Sequence, residues 1–242
     1  MVFIYKFNAC SFGDHRTISL TTVLSLLELG TKYQMEHHKE EAMRRMKQLF
    51  PASLDDFPHE YLIYEEVPKD ARKVPITTDF QTCFVAVTLV RRLNLISFLP
   101  PLLYVCVHSP VDTMCSAVAS GKWNIDDLQL CMQGIEPLMN ARLAGYAPLY
   151  RHELNGNCST SNKCRSSIVK LLSRKGGMYQ VAWDVLFTDA ALTSFRESEM
   201  CQKCYRHYEA VFNTLRRDVW GKLGGYFGVE PWPPVDKFEQ AQ

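Results

Sequence analysis

Between residues 18 and 57, apolar positions recur with the 3.6-residue period of an α-helix and predict two consecutive helices. In the first, Leu20, Val23, Leu24 and Leu27 fall on one face and Gly30 supplies a stop. In the second, Thr31 and Gln34 have the spacing of a capping box, and Met35, Ala42, Met43, Met46 and Phe50 share a face until Pro51 ends the helix. On the polar side, Glu40 with Arg44 and Glu41 with Arg45 are i, i+4 pairs in the favourable order, each worth roughly 0.2–0.5 kcal/mol, so packing must hold the helix. Ahead of this pair lies a β-prone run, Val2 to Tyr5, and a polar bend at Ser11 to Asp14. After it, Pro51, Pro58, Pro68 and Pro75 punctuate an acid- and tyrosine-rich loop.

Helical periodicity returns at Asp79, a candidate N-cap, with Phe80, Cys83, Phe84 and Val87 on one face and a break near Asn94. A short buried helix entered through Pro100 and Pro101 follows, closed by Ser109 and Pro110. Asn124 and Asp127 form a second cap-like pair, opening a helix through Leu128, Cys131 and Ile135 that continues, kinked, past Pro137. No strand is needed between Asp79 and Arg151. Residues 152–165 turn polar and read as a loop, followed by an amphipathic segment over 166–173, a turn at Lys175 to Gly177 and a helix candidate over 184–195. The last strong element runs from Cys201 to Leu223, with Tyr205, Tyr208, Phe212, Leu215, Val219 and Leu223 in register and Gly224-Gly225 as its end. An extended tail carrying Trp232 is expected to tuck over the helices. The expected fold is mostly α, in three stretches: 1–57, a helical middle 58–151, and a cysteine-containing C-terminal helical region 152–242.

Composition narrows the partners. With 242 residues, 47% of them hydrophobic, the chain can bury a sizeable core. A net charge of +1 provides no field for nucleic-acid phosphates or anionic lipid, and both are set aside. The longest apolar run, 98–107, contains two prolines and is far short of the roughly 20 residues that span a bilayer. The first ten residues lack the features of a signal peptide, and nine cysteines, an odd number, argue against a disulfide framework. These features place the chain in the cytosol or nucleus.

Four of the cysteines stand out. Cys201 and Cys204 open the last helix as C-Q-K-C, a common half-site for tetrahedral zinc because the helical turn brings both sulfurs to one side and free N–H groups favour thiolate. Cys158 and Cys164, in C-S-T-S-N-K-C, complete a possible four-cysteine set, with His152 or His207 able to replace one sulfur. Such a closed site is structural, pinning a loop to a helix, and leaves no position for a catalytic water. The alternative is four unlinked thiols. His37 and His38 among Glu36, Glu40 and Glu41 read as a solvated face, and Cys10, Cys83, Cys106, Cys115 and Cys131 as packing residues. Gly224, Gly225 and Gly228 lack the strand-turn-helix context of a phosphate loop, and no G-x-S-x-G, H-E-x-x-H or Walker motif occurs. The expectation is a non-enzymatic protein, with a zinc-dependent nucleic-acid-binding regulator as the alternative.

The segment V-L-S-L-L-E-L-G-T-K-Y-Q-M followed by E-E-A-M-R-R-M-K-Q-L-F resembles the last helical hairpin of a BTB (POZ) domain, and F-P-A-S-L-D-D-F resembles the exit from that domain in the BTB proteins of mushroom-forming fungi. The similarity extends to V-R-R-L-N-L-I-S-F-L-P-P-L-L-Y-V-C, to the paired cysteines and to Trp220 through Gly228 and Trp232. It implies a residual BTB region over 1–57 that lacks the front of the domain, and a protein-binding role as an adaptor for a cullin ubiquitin ligase or a scaffold in a transcriptional assembly. Homodimerisation and cullin docking are the family's partner modes. Without the front of the domain, Leu24, Leu27 and Met43 are expected to form an exposed apolar patch.

Overall fold

A computed structural model describes residues 18–57, 76–173, 186, 195–197, 199–230 and 232. Eight α-helices dominate these residues: α1 (Leu20–Lys32), α2 (Glu36–Leu49), α3 (Phe80–Arg92), α4 (Leu99–Cys106), α5 (Val111–Ala119), α6 (Ile125–Tyr150), α7 (Ser161–Ser173) and α8 (Gln202–Tyr226). The only strands among the described residues are β1 (Ile18–Ser19) and β2 (Ile76–Thr77), paired in parallel. The fold is all-α, as the periodicity predicts. The β-prone start, the acidic loop after Pro58 and the 184–195 helix candidate, Leu186 and Phe195 apart, lie outside the described residues, as does Cys10.

Helix α4 is the centre. Its sequence, LPPLLYVC, has a polar atom only at the Tyr104 hydroxyl, and all eight residues are buried, as a helix apolar on every side requires. Pro100 and Pro101 occupy its first turn, where a missing N–H leaves no bond unmade, and a 3-10 turn at Ile96–Phe98 leads into it. Helices α3, α6 and α8 pack around it, and α1 joins α3 and α2. One continuous buried cluster therefore draws on every stretch of the chain.

Five helices end in the same manner. A residue in the left-handed region (Gln34, Asn94, Gly121, His152 or Gly228) lets the next N–H reach back to a carbonyl five residues earlier, as in Met35 N to Gly30 O at 2.8 Å and Glu153 N to Pro148 O at 2.9 Å. This Schellman closure corrects the capping-box expectation at Thr31. Thr31 stays inside α1, donating its hydroxyl to Leu27 O, and the residue ahead of α2 is Met35, with no side-chain cap. Gly30 does not stop α1 either. It is a packing site, since a Cβ there would lie 2.8 Å from the Lys39 backbone nitrogen of α2. The predicted end at Gly224-Gly225 is likewise passed, and α8 closes at Gly228. Asp79 and Asn124 do cap, accepting from Thr82 N and Asp126 N. Asp127 is no cap: buried, it accepts from Thr88 and Arg91 of α3 and ties α3 to α6.

The expected patch at Leu24, Leu27 and Met43 is absent, because α1 is sandwiched by α2 and α3: both leucines are buried and Met43 is half-buried. On α2 the buried face is Ala42, Arg45, Met46 and Leu49, and Met35 is exposed. Arg45 donates only from Nε, to Glu41 at 2.9 Å, while both its terminal nitrogens are buried without a partner. Glu41 also clamps Arg44 at 2.8 Å, and that hydrogen bond holds its carboxyl below the usual range against the opposing effect of burial. A depressed carboxyl stabilises above its unfolded pKa, about 4.3, and that contribution is lost as the pH falls through its folded value. Glu41→Gln, which keeps an acceptor for Arg45 but removes the one negative charge paired with it, is expected to lower stability by about 3 kcal/mol and to flatten acid unfolding below about pH 4. Arg45→Met, which removes the buried charge, is expected to be neutral or stabilising by about 1 kcal/mol in urea titrations.

Candidate metal centre

Two helix N-termini meet at one point. Cys201 is the residue ahead of α8, and Cys204 lies in that helix's first turn. Cys164 sits in the first turn of α7, its N–H bonded to Thr160 O at 3.0 Å. The polar composition of 152–165 hides this start, so α7 begins five residues before the predicted amphipathic segment. Cys158 comes from the loop between α6 and α7. That loop is folded by an Asx turn in which Asn157 N donates to Asn155 Oδ1, and Cys158 N to Asn155 O, both at 2.9 Å. Tyr208, one turn past Cys204 and buried, anchors the same loop by donating to Glu153 O at 2.6 Å.

The four sulfurs lie within 4.8 Å of one another. Cys158 to Cys164 is 3.6 Å and Cys158 to Cys201 is 3.8 Å, well beyond a disulfide bond. A regular tetrahedron with metal–sulfur bonds of about 2.3 Å has sulfur–sulfur edges of about 3.8 Å, so the cluster has the dimensions of a four-thiolate zinc site. Backbone amides surround it: Cys201 N donates to Cys164 Sγ at 3.3 Å, and the N–H groups of Thr160, Ser159 and Asn155 face Cys158, Cys201 and Cys204. Burial opposes charge on Cys201, but the amides of Cys204 and Ser159 and the neighbouring thiols outweigh it and bring this thiol down to about 6. Burial pushes Cys204 up instead. A divalent metal would favour deprotonation of all four.

The sequence motif therefore resolves to Cys158, Cys164, Cys201 and Cys204, the one such group among the described residues. His207 instead lies edge-on to Tyr208, and His152 makes the left-handed turn ending α6. His37 and His38 meet each other edge to face on α2, beside a Glu36–Lys39 pair. Cys83, Cys106 and Cys131 are core residues, and burial raises the first and last to about 12. Cys115 is exposed, because α5 buries Met114 and Ala117 on its other side.

Two open grooves flank the core. The ionisable groups that line them are largely spoken for: Asp218 pairs with Lys222 between α6 and α8, and Glu28 pairs with Arg92 between α1 and α3. No helix among the described residues is long and apolar enough to cross a membrane. No family model, curated protein or solved structure matches the chain.

Proposed function

We propose that this chain is a non-enzymatic protein-interaction scaffold whose C-terminal half is fastened by a structural zinc ion held by Cys158, Cys164, Cys201 and Cys204. The observation that carries the reading is the convergence of four sulfurs from two segments within 4.8 Å, at tetrahedral spacing and ringed by amide donors. All four positions are filled by protein, so the metal fastens rather than reacts. It ties the α6–α7 loop and the start of α7 to the start of α8, segments that share few other anchors. The partner class is protein, and the resemblance to BTB proteins supports a role as an adaptor for a cullin ligase or a scaffold in a transcriptional assembly. The test is elemental analysis of protein purified without added metal. About one zinc per chain is expected, absent from the Cys201→Ser, Cys204→Ser variant. Metal-free protein, with the variant as stable as the parent, would overturn the zinc centre.

A further inference from the structure

Helix α6 exposes a second apolar stripe, outside the core that the described residues form. Its buried face carries Asp127, Cys131, Gly134, Leu138, Arg142, Tyr146 and Leu149. A quarter-turn away, Ile125, Met132, Met139, Leu143 and Tyr150 form a line along the whole helix, each between 37% and 60% exposed, with half-buried Leu128 and Ile135 at its edge. The spacing is seven, seven, four and seven residues, the rhythm of a coiled-coil seam. Charge is scarce beside it. Of the four charged residues in α6, Asp127 and Arg142 are buried and Asp126 lies about a third of a turn away, which leaves Glu136 alone on the border of the stripe, about 20° round the helix from Leu143.

The stripe is also palindromic. Ile125 with Tyr150, and Met132 with Leu143, are both centred on the bond between Pro137 and Leu138, and Met139 lies beside that centre. A two-fold axis there sets Ile125 against Tyr150 of a second copy, Met132 against Leu143, and Met139 against the stem of Glu136, whose exposed carboxylate lies at the edge of the seam. Both prolines of α6 fall on the side away from this seam. The antiparallel arrangement also places each helix N-terminus beside the other's C-terminus, where the dipoles attract.

We infer that two copies of this chain pair through an antiparallel α6–α6 seam of Ile125, Met132, Met139, Leu143 and Tyr150. This surface lies outside residues 1–57, and no seam residue is a proposed metal ligand, so the inference stands apart from the zinc centre. The stripe offers on the order of 500 Å² of apolar surface per copy, about 1,000 Å² in the pair, which is the lower limit of a specific interface and fits a reversible dimer.

Sedimentation velocity of the whole chain over a concentration series tests it. The parent is expected to move from monomer to dimer, and Leu143→Asp to weaken the dimer by about tenfold or more, with helicity and melting unchanged because the side chain is exposed. Ile125→Glu and Tyr150→Lys are each expected to weaken it, and the two together in one chain to restore it, since only antiparallel pairing brings the introduced carboxylate of one copy opposite the introduced ammonium of the other. A parent that remains monomeric throughout, a dimer indifferent to Leu143→Asp, or a double variant that stays monomeric would each overturn the seam.

Discussion

If the proposed zinc centre is filled, Cys204→Ser is expected to abolish its zinc retention and loosen the C-terminal half of the molecule while leaving α1 to α4 folded. The Cys204 side chain is fully buried within the cluster, and a serine hydroxyl is a poor zinc ligand that water cannot replace there without reorganising the site. With three sulfurs left, the loop after α6 and the first turn of α7 lose the cross-link that fixes them to α8. The rest of α8 is held independently, by Phe212, Leu215, Val219 and Leu223 in the core. Amide exchange followed by mass spectrometry is therefore expected to show protection in residues 158–171 falling by about a thousandfold, roughly 4 kcal/mol, with α3 and α4 unchanged. Cys115→Ser, at an exposed position on α5, is the control and should alter nothing. Uniform loss of protection throughout the chain would show that the centre is part of the global core and not a local fastening.

Trp220→Ala is expected to cost about 4 kcal/mol, within the range for deleting a large buried aromatic. The indole joins parts of the chain 168 residues apart, donating to Ala52 O at 2.8 Å. Its ring lies 5.0 Å from Phe57 and 5.9 Å from Trp232, and Phe57 in turn lies against Tyr104 of α4. The variant thus opens a cavity where the C-terminal helix meets the exit from α2, and leaves the Ala52 carbonyl without its donor. Trp220→Phe, which fills most of the volume but cannot donate, should recover more than half of the loss in chemical denaturation. A Trp220→Ala protein as stable as the parent would show that α8 does not depend on the N-terminal hairpin.

The helices whose apolar faces are simple are legible from the sequence: the Leu20 to Leu27 face of α1, the Cys83 to Val87 face of α3, and Tyr205 to Leu223 on α8 all pack as their spacing predicts. Sequence and structure part where one residue type can serve two ends. Gly30 reads as a terminator because glycine often follows a helix, but its missing side chain is used for close approach of α2. Gly134, which the periodicity does not single out, is a second such site, where a Cβ would collide with the Phe227 ring. Arg45 belongs to a charge pattern that suggests solvent, and its burial depends on Glu41 serving two arginines, which spacing does not reveal. Helix α5 is hidden in the sequence because Pro110 reads as a stop and only Met114 and Ala117 mark its buried face. The long α6 carries apolar residues on two sides, so its pattern shows a helix without showing which side is free.

The candidate centre is legible as a set of ligands but not as an architecture. C-Q-K-C at a helix start is a local signal that spacing alone exposes. The second pair is different, since Cys164 lies in the first turn of a helix that polar residues disguise, and its approach to Cys201 depends on Tyr208 drawing the α6–α7 loop onto α8. The histidines offered as substitutes are equally plausible on spacing. Only the fold turns His207 onto Tyr208 and assigns His152 to a turn.

X-ray absorption at the zinc edge, on protein purified without added metal, tests the central claim most directly. Four sulfur scatterers at about 2.3 Å are the expected result, with no nitrogen or oxygen in the first shell. A shell containing imidazole nitrogen, or water in place of a sulfur, would contradict a closed centre built from Cys158, Cys164, Cys201 and Cys204, and a zinc-free protein would contradict the centre itself.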